Sequence, residues 1–204
     1  MRIHPTLLLL LALLTGCATQ PTLTTAAMDS SRAGPSTRAD VEKVLGRPQR
    51  FETGPNGKSV AFYENVEQRR NQALWGPVNL HSRHFSVLYD AKFAVERTLL
   101  AAHSGKIQRG WRDRFGQPLD RAAVIAAMQE PVAREELVAK FGPPTVEMLT
   151  TTGGVMLGWV ALEQRHEAWG GQERQILEVE CDADGVVRNY HIEGTLDAGG
   201  KPRP

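Results

Sequence analysis

Two stretches of this chain are variants of one another, and that constrains its folding more than any single motif. "TRADVEKVLGRPQRF" from Thr37 aligns with "AREELVAKFGPPTVE" from Ala133, placing Leu45-Gly46 on Phe141-Gly142 and Pro48 on Pro144. The same offset of 96 sets "VAFYENVEQRR" from Val60 on "MLGWVALEQRH" from Met156, and Glu67-Gln68-Arg69 matches Glu163-Gln164-Arg165 identically. After a few extra residues in the first copy, Trp75-Gly76 pairs with Trp169-Gly170, and "FSVLYDAKFAVE" from Phe85 pairs with "LEVECDADGVVR" from Leu177. Four blocks in one order indicate an internal duplication, in which each unit must bury its apolar face on its own helices or on its sibling.

Each copy has readable local physics. Thr37 with Asp40 three residues on forms an Asp variant of the capping box, and Val41, Val44 and Leu45 give one apolar helical face. Gly46 suits a left-handed helix stop and Pro48 prevents continuation; Gly142 and Pro143-Pro144 repeat the device. A Gly-marked turn and a strand-like segment follow each helix, with Val60, Phe62, Glu64 and Val66 on one strand face. Two further alternating segments flank Asp90-Ala91-Lys92-Phe93 in one copy and the hairpin signal Asp182-Ala183-Asp184-Gly185 in the other. A preceding helix is expected over 120–130, with a weaker equivalent near Thr25 to Arg32. The expected fold class is therefore α+β, a tandem duplication of a helix-helix-three-stranded antiparallel sheet unit.

The N-terminal "LLLLLALLTGCATQP" is too short to span a bilayer, which takes roughly 20 apolar residues. Behind Arg2 it reads as a secretory signal. Leu14-Thr15-Gly16-Cys17 resembles the lipobox of bacterial lipoproteins. That resemblance implies a lipid on Cys17, cleavage before it and, with Ala18 rather than Asp following, the outer membrane with the domain facing the periplasm. Cys181 is then left without an internal disulfide partner and reads as a small core residue. The organisation expected is a signal peptide over 1–16, a lipidated N-terminus and tether over 17–36, and a first repeat over 37–105. A basic and aromatic connector follows over 106–117, then a second repeat over 118–196 and a frayed tail over 197–204.

"DVEKVLGRP", a loop, "VAFYENV" and a strand pair about an Asp-Gly-type turn resemble the SmpA/OmlA (BamE-like) family of small outer-membrane lipoproteins. That family usually carries one unit, whereas this chain has two. The tandem form also resembles the β-lactamase inhibitor protein architecture. The first resemblance implies a non-catalytic accessory of envelope maintenance or of the β-barrel assembly machinery. The second implies an inhibitor-like binder of a periplasmic hydrolase.

The residues themselves carry little recognisable chemistry. Net charge of +1 shows no bias toward nucleic acid, which is not expected as a partner. No Gly-x-Ser-x-Gly, Ser-x-x-Lys or His-Glu-x-x-His occurs, so no enzyme is expected. His81-x-x-His84 would point its rings to opposite faces of a strand, which disfavours a metal site. No cofactor is expected beyond the covalent lipid on Cys17. The candidate interaction surface is the connector "KIQRGWRDRFGQP", with Arg109, Trp111, Arg112 and Arg114, joined by Trp75 and Trp169 beside glycines. The connector's Trp and Phe either cover the seam between repeats or join its arginines in touching anionic headgroups or an acidic partner. Tyr63 and Trp159, at equivalent positions, read as packing residues, and the two Glu-Gln-Arg triplets as solvated strand ends. A small-ligand or metal site in the seam is a third possibility.

Overall fold

The computed structural model describes residues 37–70, 77–110, 112–165 and 172–194. Over these the chain is mostly β. Helix α1 (Arg38–Leu45) leads into β1 (Arg50–Thr53), β2 (Ser59–Arg70), β3 (Val78–Tyr89) and β4 (Val95–Ile107), an antiparallel sheet in chain order. A short β5 (Arg112–Phe115) and helices α2 (Arg121–Ala127) and α3 (Arg134–Phe141) precede β6 (Val146–Leu149), β7 (Val155–Arg165), β8 (Gln172–Cys181) and β9 (Val187–Gly194). In this second sheet β7, β8 and β9 lie side by side, and β5 and β6 share the outer edge of β7.

The expected α+β, helix-helix-three-stranded unit is overturned: the molecule is two antiparallel sheets of four and five strands with three short helices among the described residues. The helices are eight, seven and eight residues long, while the central strands run to twelve. The error has a local cause. "RFET" and "VEML" follow a helix stop and precede a Gly-marked turn, so they read as loop, but each folds back as a fourth strand. Four residues are too few to show a period of two against noise.

Elements at the offset of 96 nevertheless adopt matching geometry. The Gly46 and Gly142 stops both sit at φ +79, a left-handed conformation that costs glycine no Cβ clash. Thr37 N and Oγ1 both donate to Asp40 Oδ2, holding the Asp40 carboxyl below its usual range, while Asp40 N donates back to Thr37 Oγ1; Ala133 offers no such cap. Asp90 Oδ1 accepts from Lys92 N and Ala94 N, and Asp182 Oδ1 accepts from Asp184 N and Val186 N. Bulges follow at Leu88/Tyr89 and Glu180/Cys181, and bridges Thr37–Ala94 and Ala133–Val186 tie each helix start to its sheet.

Burial is less symmetric. One face of the first sheet (Ala61, Tyr63, Phe85, Val87, Tyr89) packs under Val41 and Leu45 of α1. The opposite face contributes Val60, Phe62 and Leu88 to a larger core built around Leu137, Met148, Leu149, Leu157, Leu177 and Val179. That core crosses between the halves, and polar contacts reinforce it. Leu149 N donates to the buried Ser86 Oγ at 3.0 Å, Arg97 Nη1 to Gly153 O at 2.9 Å, and the Arg50 guanidinium stacks 4.0 Å over Phe62. Leu88 is 1% exposed within this shared core. Leu88→Ala should cost about 3 kcal/mol, and urea unfolding should stay a single transition by fluorescence and circular dichroism. Separate transitions for the two halves would contradict a shared core.

Candidate protein-interaction site

The connector resolves into structure rather than a free basic patch. "RDRF" alternates, so Arg112 and Arg114, two apart, project from the same face of β5. Opposite them in register stand Arg165 and Glu163 of β7. Arg112 Nη1 bonds Glu163 Oε1 at 2.8 Å and Arg114 Nε bonds Oε2 at 3.0 Å, so both carboxylate oxygens are engaged. Glu163 is buried at 8% exposure, while the two arginine side chains keep 44% and 56% of theirs. Phe115 is buried edge-on to His103, and Gly116 follows at φ +67. An added Cβ on Gly116 would lie 2.1 Å from Val160 O. Arg109 is exposed between β4 and β5. Trp111, Trp75, Trp169 and Cys17 lie outside the described residues.

The first sheet presents the same edge differently. In both sheets the short strand after the helix covers only the start of the long one: β1 reaches Phe62, and β6 reaches Gly158. Next to these, Gln49 N donates to Phe62 O, as Thr145 N does to Gly158 O. The Gln49 amide then bonds both backbone groups of Glu64, and Thr145 Oγ1 accepts from Val160 N. With a period of two, the next outward backbone groups are Leu162 and Gln164 on β7 and Val66 and Gln68 on β2. Those of β7 are paired by Phe115 and Asp113 of β5. Those of β2 meet no strand among the described residues. Beside this edge, across β2, β3 and β4, lies a polar groove of about 270 Å³ lined by Asn65, Glu67, His81, Arg83, Ala102 and Ser104. His81 Nδ1 lies 2.9 Å from Ser104 Oγ.

The seam holds a second polar feature. His81 and His84 both lie in β3, and His84 points to the face opposite His81, 5% exposed, with its Nδ1 buried and unpartnered. Burial, and secondarily nearby His103, pushes its pKa down to about 4. Burial also lowers His103, and it raises Glu64, which stands opposite His84 in register and is pulled back by Arg50. Next to His103 a cavity of about 530 Å³ is floored by Phe141 and Trp159, whose Nε1 donates to Gly142 O. Among the described residues no three His, Cys, Asp or Glu side chains group so as to hold a metal. Cys181 is fully buried, and burial raises its thiol to about 11, so it remains protonated and unreactive.

Sequence reasoning placed Glu163 at a solvated strand end and missed its clamp. The available signal was the two-residue spacing of Arg112 and Arg114, which is a strand spacing. No protein-family model, curated protein or solved structure matches this chain, so the interpretation of the site rests on its geometry.

Two outcomes follow. Glu163→Gln removes the charge that both arginines share, and chemical unfolding should show a loss of about 1 kcal/mol, as both arginines are largely solvated. His84 has its folded pKa below the unfolded value of 6.5, so its neutral form contributes fully above that pH. As pH falls below about 6.5 the unfolded chain gains the proton first, and stability should fall by up to about 1.4 kcal/mol per pH unit. His84→Gln should reduce that slope between pH 6.5 and 5.5, where the lowered His103 adds to it in the same sense and the raised Glu64 opposes it.

Proposed function

We propose that this chain is a non-catalytic protein-binding module of the bacterial envelope, held at the outer membrane by a lipid on Cys17 and facing the periplasm. The anchor is read from Leu14-Thr15-Gly16-Cys17 behind its short apolar run. The binding role is carried by one observation: an edge that the chain satisfies with its own β5 in the second sheet is open among the described residues in the first. An unpaired ladder is a template for another chain, and here a polar groove flanks it. An accessory role in outer-membrane protein assembly follows from the family resemblance and is the specific form proposed.

The inhibitor-like alternative would place a contiguous aromatic surface across the sheets. Among the described residues Tyr63, Phe85 and Trp159 are instead buried, and the exposed large apolar residues Val44, Phe93, Ile125 and Tyr190 lie on four separate elements or turns. The test is in-cell crosslinking and recovery through a C-terminal tag, with Cys17→Ser as the unanchored control. Recovery of β-barrel assembly components, lost in the control, is expected. Recovery of a single soluble periplasmic enzyme, retained in the control, would refute the assembly role.

A further inference from the structure

The two sheets are an internal experiment on what the open edge accepts. We propose that the outer edge of β2 at Val66 to Gln68 takes up an extended, antiparallel segment of a second protein. The segment carries basic residues two apart followed by an apolar residue. This rests on the protein-binding reading above and specifies the partner's chemistry.

The template is β5. Arg114 turns its own N–H and C=O away from β7, bonding Gln108 O and N at 2.9 and 2.8 Å. Its neighbours Asp113 and Phe115 therefore direct their backbone groups to β7, opposite Gln164 and Leu162. Arg112 and Arg114 meanwhile send their side chains to Glu163, and Phe115 enters the seam. Moved by the offset of 96, the same segment would pair an apolar residue with Val66, a basic residue with Glu67 and any residue with Gln68. The basic side chains would enter the face that holds the groove, since Asn65, Glu67, His81 and Arg83 line it. Glu67 already makes a polar interaction within the fold, so capture depends first on the backbone ladder and second on charge. The Gln49 amide, bonded to both backbone groups of Glu64, marks where the added strand must end, as Thr145 does beside β5. Main-chain pairing with alternate side chains read from one face is a recurring mode of peptide capture.

The probe is a labelled peptide with the sequence of residues 110–117, GWRDRFGQ, titrated against the full chain. A photo-crosslinker replaces Gln68 in one preparation and Gln164 in another. Expected is crosslinking from position 68 and an affinity roughly tenfold above that of the charge-reversed GWEDEFGQ. N-methylation of the peptide's Asp, whose N–H would meet Gln68, should abolish binding, and N-methylation of its second Arg should leave it intact. Gln68→Pro removes an outward N–H that no described strand uses and should abolish binding as well. Equal effects of the two N-methyl groups, crosslinking only from position 164, or crosslinking from position 68 to residues 18–36 of the same chain would each overturn the proposal. If Gln68→Pro recovers the same envelope partner as the unmodified chain, the edge is refuted and the protein-binding reading stands. If neither recovers a partner, the reading itself fails.

Discussion

Burial on both faces of β2 and β3 is the constraint from which the rest follows. A sheet with one dry face could have stood as an independent unit under α1. Here Val60, Phe62 and Leu88 are as deeply buried as Ala61, Tyr63 and Val87, which point the other way. The second sheet's β6 packs against β3 and β4 on that side, and the buried bond from Leu149 N to Ser86 Oγ fixes its position. Each buried aliphatic side chain contributes roughly 1.5–3 kcal/mol, so the halves are coupled through their largest favourable term. The duplication thus produces one core with two unlike sheets around it.

Once the halves share a core, their equivalent positions are free to diverge, and the divergence is concentrated at the edge beside the Glu-Gln-Arg triplets. In the second half the incoming chain must travel from β4 to α2, and on the way it supplies β5 to the open ladder. Phe115 closes the seam, and Gly116 lets the backbone pass against Val160 O, where a side chain would collide. Gln175 bonds Leu119 N and O, anchoring the same passage on the sheet. Position 175 corresponds to Arg83 of the first repeat, where the matching surface is a groove.

Where a feature is written in adjacent residues, the sequence was legible. Thr37 with Asp40, Gly46 before Pro48, and Asp90 and Asp182 at the tips of their turns act within four residues, and each forms the contact its chemistry suggests. The repeat offset also located α1, α3 and the long strands, while the weaker helix expected near Thr25 to Arg32 lies outside the described residues. Features decided by long-range pairing were not legible. The strand character of "RFET" and "VEML" depends on the hairpin they close, and Glu163 is buried only because a segment 49 residues earlier folds onto its strand. The burial of His84 was not legible, because the His81-x-x-His84 spacing gives opposite faces but not which face is dry. The site residues Arg112 and Arg114 were found as a basic patch, yet their structural meaning lies in the carboxylate they share.

An open ladder two outward residues long cannot by itself hold a partner tightly, since a few backbone bonds in water contribute about 1 kcal/mol each and ordering the incoming segment costs about as much per residue. Its usefulness depends on local concentration. A lipid at Cys17, as proposed, would confine the edge to a layer within reach of the membrane, turning a weak encounter with another membrane-bound protein into an effectively intramolecular one. The same weakness guards against self-association: a short edge flanked by Asn65, Glu67 and Arg83 offers no apolar strip for a second copy to zip along. Under the proposed reading, anchor and edge would be two parts of one device, in which weak, direction-specific pairing becomes selective where the membrane brings the correct strand close.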